Sequence, residues 1–325
     1  MRRVLVIITN RLQASYRLRI EAIAPLLLER GFELDAQLRP RGLRARRKFL
    51  RTASNYHAVI LQRKLLDPSD ARLLRHSARR ILYDIDDAVM YHAHRVGLIS
   101  RWRTRRRFEA TARIVDHVVS GNEYLAEMFR ARGKAVTVLP TCVDPTHYRV
   151  KQHEAGSAVS VVWIGSRSTL PYLCEQIPAL EGAALRVLGL RLITIADQTI
   201  VNARLPVQHI AWSVDDEATS LGQGDIGIAP TPDDRWTRGK CGFKIIQYMA
   251  SGLPVIASPV GANAQIVTPQ TGLLATTRQE WMDAIVKLAS DVQLRRTMGA
   301  AGRERVEQEY SLPRAADTWA NLLAS

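Results

Sequence analysis

TRGKCGFKIIQYMASGLPVIASPVGA, residues 237–262, decides how this chain is read. FKIIQYMA has the apolar spacing of a short amphipathic helix. Gly252 closes that helix, and Leu253-Pro254 leads into the apolar run VIASPV. Lys240 and Lys244 stand four apart, so they are expected on one helix face, with Gln247 about a turn further on. Two ammonium groups near a helix start, where backbone N–H groups point outward, make a place for an anion. A surface helix with ordinary lysines accounts for either lysine alone, but less well for the whole arrangement. A helix leading directly into a buried strand is the repeating unit of a parallel α/β sheet.

The same alternation extends both ways. VLVIIT (4–9) is a continuous apolar run, as expected of a strand covered on both faces. RLRIEAIAPLLLERG (17–31) has helical spacing and ends on glycine. FELDAQL (32–38), HAVILQR (57–63), ILYDIDD (81–87) and AVTVLPTCVD (135–144) read as strands with their following loops. DPSDARLLRHSARR (67–80) reads as a helix, and HVVSGNEYLAEMFRARG (117–133) as strand, turn and helix. The polar, patternless VKQHEAGSA (150–158) is the expected linker. Beyond it the alternation restarts with VSVVWIG (159–165), LRLITIA (190–196), DIGIAPTP (225–232) and PVIASPV (254–260). From about Gln279 the chain reads as helical. The expectation is two doubly wound domains, 1–150 and 151–325, with the last helix packing back on the first. Ligands of such sheets bind at the carboxyl ends of the strands, so two such domains face to face would form a cleft.

The sequence has 325 residues, 46% hydrophobic and 24% charged, which suits two globular domains. No apolar run reaches the roughly 18 residues of a membrane span. MRRVLVIITN lacks a cleavage site and reads as a first strand, not a signal peptide. Cys142, Cys174 and Cys241 form neither metal spacing nor an even disulfide set, so a cytoplasmic setting is expected. The net charge of +15 is uneven. Residues 1–150 hold 30 Lys+Arg against 14 Asp+Glu, a net of +16, and the rest 16 against 17, a net of −1. RPRGLRARRKFLR (39–51) and RWRTRRRF (101–108) carry much of the excess. A polyanionic partner for one domain fits this asymmetry; a solvated arginine-rich face fits it equally. Nucleic acid ranks low, because aromatics are 6% of the chain and the basic runs offer little for bases to stack on.

Several motifs have spacings that bear on chemistry. Gly222–Gly227 spells G-x-G-x-x-G but precedes a strand, so it reads as a turn. WIGSRST (163–169) follows a buried strand and precedes a helix, so Gly165 and Ser166 can bring backbone amides close to a phosphate, with Arg167 adding a forked contact. A plain strand-to-helix turn accounts for the same residues. YDIDDA (83–88) puts Asp84 and Asp86 on one side of a strand end, followed by Asp87. Carboxylates this close raise one another's pKa unless paired. They fit a base, a hydrogen-bond acceptor or a metal ligand, or alternatively a helix cap bridged to nearby arginines. His92 and His94 have no partner at metal-binding spacing and read as loop histidines.

TRGKCGFKIIQYMASGLPVIASPVGANAQIV followed by TGLLA resembles the donor-binding segment of family-4 retaining glycosyltransferases of the GT-B fold. GNEYLAEMFRARGKAVTVLPTCVDPTHY (121–148), WIGS and MGAAGRERVEQEYS resemble other parts of that family. The likeness is strongest from 225 to 310 and weakest from 36 to 80. Where the family has a Glu, seven residues and a second Glu, this chain has Gly239 and Gln247. The resemblance implies an α/β GT-B protein, two Rossmann-like doubly wound domains facing across a cleft. The implied activity moves a sugar from a nucleotide-diphosphate sugar to a glycan or lipid-linked acceptor, with retention and with neither cofactor nor metal. Gly165, Ser166, Arg167, Lys240, Phe243, Lys244 and Gln247 would hold the donor, Gln247 standing where a Glu meets the ribose. Asn10, Arg17 and Arg19 would lie on the acceptor side, with Asp86 and Asp87 as catalytic carboxylates. The basic first domain would face an anionic membrane surface, giving a cytoplasmic protein peripheral to the inner face of the cell membrane. The alternative is a catalytically inactive nucleotide-sugar or glycan binding protein of the same fold.

Overall fold

The computed structural model describes residues 1–91, 97–156, 158–200 and 203–325; His92 and His94 lie outside the described residues. The chain divides into two compact units. The first comprises Met1–Cys142, Asp234–Cys241 and Leu312–Ser325; the second comprises Val143–Asp233 and Gly242–Ser311. Each is built on one six-stranded parallel sheet covered by helices.

In the first unit, β1 (Arg2–Ile8), β2 (Phe32–Leu38), β3 (Ala58–Gln62), β4 (Ile81–Ile85), β5 (His117–Ser120) and β6 (Ala135–Val138) lie in the order β2-β1-β3-β4-β5-β6. Alternation along the strand decides which face each residue serves. Leu5 and Ile7 of β1 pack with Leu50, Leu74, Phe108 and Phe129 on one face. Val4, Val6 and Ile8 pack on the other with Ile20, Leu27 and, from the final helix Leu312–Ala324, Trp319 and Leu323. The single helix expected over 17–31 is broken: Arg17–Glu21 forms a π-helical turn, and a separate helix, Ala24–Glu29, begins with Pro25 in its first turn. Proline lacks the N–H that would continue the ladder, so the break falls there.

In the second unit, β7 (Ser160–Ile164), β8 (Arg191–Ala196), β9 (Val207–Ala211), β10 (Ile226–Ala229), β11 (Val255–Ala257) and β12 (Gly272–Leu274) lie in the order β12-β11-β10-β7-β8-β9. Val162 and Ile164 pack with Ile245, Ile246 and Met249 of the helix Phe243–Ala250. Val161 and Trp163 pack on the opposite face with Leu180, Trp281 and Ile285. The expected linker is anchored in this unit: His153 is buried and its Nε2 lies 3.0 Å from the Gly252 carbonyl oxygen, while Lys151 Nζ lies 3.4 Å from Asp225. Gly222–Gly227 is a turn entering β10, as its position before a strand predicts.

The strand orders place the sites. Chain direction across the sheet reverses between β1 and β3 in the first unit and between β7 and β10 in the second. Crevices open outside the carboxyl ends of strands at such points.

Candidate functional site

In the second unit, β7 ends at Gly165, and the structure shows why glycine is required. A Cβ there would stand 2.3 Å from the Trp163 ring and 2.8 Å from Thr169 Oγ1. The turn is tight, and its amides are already engaged. Gly165 N–H donates to the Ile195 carbonyl at 3.0 Å, Ser166 N–H to Thr169 Oγ1 at 3.2 Å and Arg167 N–H to Asp197 Oδ1 at 2.7 Å. The expected cradle of outward amides is therefore corrected: at this turn a phosphate would meet the exposed Arg167 side chain, because the backbone donors serve the turn itself.

Lys244, half-buried in the first turn of the helix Phe243–Ala250, stands 4.8 Å over the Trp163 ring. It thus lies beside the Gly165 turn. Gly242 precedes it with φ +66°, a left-handed conformation in which a side chain is strained. Phe243 is partly buried against the apolar face below. Gln247, one turn beyond Lys244, is 3% exposed. Its Nε2 donates to Glu217 Oε1 at 3.0 Å and to the Tyr148 hydroxyl at 3.3 Å. Burial, with Glu217 adding to it, pushes the Tyr148 phenol up to about 12.

Lys240 lies outside that helix. The helix begins at Phe243, so the expected shared face with Lys244 is absent. Lys240 follows a short 3₁₀ turn, Thr237–Gly239, in a strap that belongs to the first unit. Asn122 Nδ2 donates to the carbonyls of Arg238 and Lys240 at 3.1 and 2.8 Å, fixing that strap, and Lys240 Nζ stands 5.7 Å from the Trp236 ring. Gly239 is needed there, because a Cβ would come within 2.4 Å of Ala88.

The first unit gathers charge at the ends of β3 and β4. Asp84 is fully buried and holds Arg19 through Nε at 3.0 Å and Nη2 at 2.6 Å. Arg19 also donates to the Leu139 carbonyl at 2.9 Å. Burial opposes the charge on Arg19, but the Asp84 carboxylate and its hydrogen bonds, helped by Asp86, raise its pKa overall. At 4% exposed, Arg19 is a buttress for β4, which corrects its assignment to an acceptor surface. Arg17 is half-buried, and Asn10 is exposed in a turn where its Oδ1 accepts the Leu12 N–H at 2.9 Å.

Asp86 and Asp87 do meet at one place, and their common partner is Arg63. Its Nε is 3.3 Å from Asp86 Oδ1 and its Nη2 is 3.0 Å from Asp87 Oδ2. Arg63 has φ +55°, strained for a residue with a side chain. Asp86 is 7% exposed, and its Oδ1 accepts no hydrogen bond among the described residues. Burial pushes its carboxyl up to about 6; Arg63 acts against that shift and Asp87 with it. Cys241 Sγ lies 3.4 Å from Thr141 Oγ1, and a Cβ on Gly121 would press on both Asp86 and Cys241. Among the described residues no cluster of three metal-ligating side chains is present.

Residues 156–291 match the family profile of the glycosyl transferases group 1. That stretch contains the Gly165 turn, Lys244, Gln247 and Glu217. A curated relative, the GDP-mannose-dependent monoacylated alpha-(1-6)-phosphatidylinositol monomannoside mannosyltransferase of Corynebacterium glutamicum, is 35% identical over 86 residues. The match spans 26% of this chain and 23% of that relative, so less than a quarter of the relative's length is represented. Solved structures match nearly the whole chain at low identity. A sucrose-phosphate synthase from Thermosynechococcus elongatus has a TM-score of 0.73 at 15% identity, covering 99% of this chain and 98% of its own. Anabaena Alr3699/HepE, solved with UDP and glucose, has a TM-score of 0.73 at 15% identity with full coverage of both chains. A glycosyltransferase from Rickettsia africae has a TM-score of 0.72 at 12% identity, covering 99% and 97%. These likenesses show a shared GT-B fold.

Sequence reading missed Arg63 and Glu217. Arg63 closes an apolar run and looks like a strand-end charge. Glu217 sits thirty residues from Gln247, and nothing in the intervening chain announces their contact.

Proposed function

We propose that this protein is a glycosyltransferase that moves a sugar from a nucleotide-diphosphate sugar to a glycan or lipid-linked acceptor, with retention. The observation that carries the reading is the profile match over 156–291 coinciding with the β7 turn and Lys244 at the second unit's topological reversal. Arg167 and Lys244 would take up the charge that develops on the departing diphosphate, the task a metal ion performs elsewhere. The resemblance of residues 225–310 to retaining enzymes supports retention. In the first unit, Asp86 would accept a hydrogen bond from the acceptor hydroxyl and orient it, and Asp87 would share Arg63 with it. The named relatives use different nucleotides, a GDP-sugar in one and UDP in another, so the base is a matter for measurement.

An anionic membrane surface is part of the proposal. The helix Leu98–Ile114 carries six arginines against one acid. Leu98, Ile99 and Trp102 at its start are 81%, 70% and 58% exposed. Arg72, Trp102, Arg105, Arg106 and Arg113 are among the residues lining a groove of about 640 Å³. Apolar side chains beside arginines are what a headgroup layer accepts. No helix among the described residues is long and apolar enough to cross a membrane, so attachment would be peripheral, on the inner face.

The test is incubation with labelled UDP-, GDP-, ADP- and TDP-sugars and a panel of lipid-linked and free glycan acceptors. The reading expects one donor to be consumed with a glycosylated product of retained anomeric configuration. Nucleotide binding with no transfer to any acceptor would contradict it.

A further inference from the structure

Arg63 sits at φ +55° in a turn closed by the Lys64 N–H on the Gln62 carbonyl at 2.6 Å. Strain of this kind persists where the surroundings over-determine it, and it gathers at binding sites. The Arg63 side chain goes to Asp86 and Asp87. The charged groups around Lys64, the next residue, are instead Arg39, Arg107 and Asp67. Arg39 follows the carboxyl end of β2 and Lys64 that of β3, the two strands that flank β1. The carboxylates here are already taken. Asp70, 1% exposed, is shared by Arg39 Nη1 and Arg46 Nε, each at 2.7 Å, and Asp67 Oδ1 accepts from Arg107 Nε at 2.8 Å. The half-buried Lys64 ammonium makes no ion pair and no hydrogen bond among the described residues.

Four cations, Arg39, Arg46, Lys64 and Arg107, therefore meet two carboxylates, Asp67 and Asp70, a surplus of two positive charges. Burial pushes the Lys64 pKa down, and Arg39 and Arg107 push it further. At Arg39, burial with Arg46 and Arg107 outweighs Asp70 and Asp67, so its pKa falls too. Partly desolvated like charges cost free energy unless a counter-charge joins them. A surplus of two matches a phosphate monoester, which carries about −1.5 to −2 at neutral pH. Arginines fork onto its oxygens, and a lysine supplies a compact point charge. Resting on the glycosyltransferase reading above, we propose that Lys64, with Arg39 and Arg107, binds a phosphoryl group carried by the acceptor. Arg63 and Lys64 are consecutive, with Cα atoms about 3.8 Å apart. One sugar can present a hydroxyl to Asp86, which Arg63 holds, and its phosphoryl group to Lys64. The strained turn lets neighbouring side chains serve the two ends. The acceptor class narrows to phosphorylated glycans, soluble or lipid-linked.

The experiment is calorimetric titration of inorganic phosphate, at constant ionic strength with chloride as control, into wild type, Lys64→Met, Arg107→Ala and Lys244→Ala, with melting curves as fold controls. Phosphate binding should survive Lys244→Ala, which removes a cation of the other unit, and weaken about tenfold or more in Lys64→Met. Arg107→Ala should weaken it severalfold. Unliganded Lys64→Met should melt no lower than wild type, because an unrelieved cation is gone; a lysine that merely held the fold would give the opposite. Competition by soluble sugar phosphates would assign a soluble acceptor, and competition by lipid-linked sugar phosphates alone a lipid-linked one. In transfer assays Lys64→Met should raise KM for the phosphorylated acceptor about tenfold and leave kcat within about twofold. Phosphate bound equally by wild type and Lys64→Met, or bound by neither, or equal use of phosphorylated and unphosphorylated acceptors, would overturn this inference alone while a nucleoside diphosphate still binds wild type. Binding of no nucleoside diphosphate by wild type would overturn the glycosyltransferase reading itself, and the acceptor assignment with it.

Discussion

At the ends of β3 and β4 the first unit draws Arg19, Arg63, Asp84, Asp86 and Asp87 into ion pairs. At the ends of β7 and β10 the second unit instead sets a glycine turn, an exposed Arg167 and a half-buried Lys244 over an aromatic ring. The second place is the topological reversal of its sheet, and the first lies one strand beyond the reversal between β1 and β3. The first has charges in plenty, but its buried cation is committed to Asp84. The second has fewer charges, and they lie where a phosphate can reach them. Charge counting along the sequence points a polyanion toward residues 1–150; the diphosphate site proposed above lies in the other unit. The excess arginines of the first unit sit mainly on outer helix faces, which suits a broad surface better than a pocket.

The contrast predicts opposite responses to removing a cation. Arg19→Ala strands a fully buried Asp84 and should cost roughly 3–5 kcal/mol in denaturant unfolding. Lys244→Ala removes a half-buried lysine at a helix start and should cost less, about 1 kcal/mol, yet abolish nucleotide binding. Similar losses of stability in the two variants would break the comparison.

Asp86 sharpens it further. Its folded pKa of about 6 lies above the ordinary value of 3.8. The folded state therefore holds this proton more tightly than the unfolded chain, and ionising Asp86 costs stability as pH rises from about 4 through 6. Asp86→Asn, measured against wild type, should gain roughly 2 kcal/mol of relative stability between pH 4 and pH 7. A flat difference across that range would mean Asp86 titrates normally.

Gly165→Ala tests the turn. The added methyl meets Trp163 and Thr169, so about 1–3 kcal/mol should be lost, and nucleotide affinity with it. The smallest effect on stability is expected at the basic helix. Trp102→Ala with Arg105→Ala and Arg106→Ala should leave unfolding within about 0.5 kcal/mol. Co-sedimentation with phosphatidylglycerol-containing vesicles should nonetheless fall by about fivefold per arginine. Equal sedimentation with neutral phosphatidylcholine vesicles would count against a membrane-facing surface.

Strands buried on both faces were legible because nearly every residue is apolar, as in VLVIIT and ILYDI. β9 leaves no such signal, since VQHIA is an edge strand with its side chains half-buried or exposed. The helices Leu43–Arg51 and Leu98–Ile114 were read as basic runs. Only Leu50 of the first and four residues at the end of the second are buried, so arginines hide the helical period. The Gly165 turn was legible from its place after a strand. That Lys240 lies outside the helix carrying Lys244 was not, because the helix starts only at Phe243 and residues 234–241 belong to the other compact unit. The Glu217–Gln247 contact depends on tertiary packing alone.

The most direct measurement is thermal unfolding of wild type and Lys244→Ala with UDP, GDP, ADP, TDP and CMP, with and without Mg²⁺. At about 100 times its dissociation constant a ligand adds roughly 2.7 kcal/mol. The account predicts such a stabilisation of wild type by one nucleoside diphosphate, independent of Mg²⁺ and absent in Lys244→Ala. Stabilisation that survives in Lys244→Ala, or none with any nucleotide, would contradict the placement of the donor site at the end of β7.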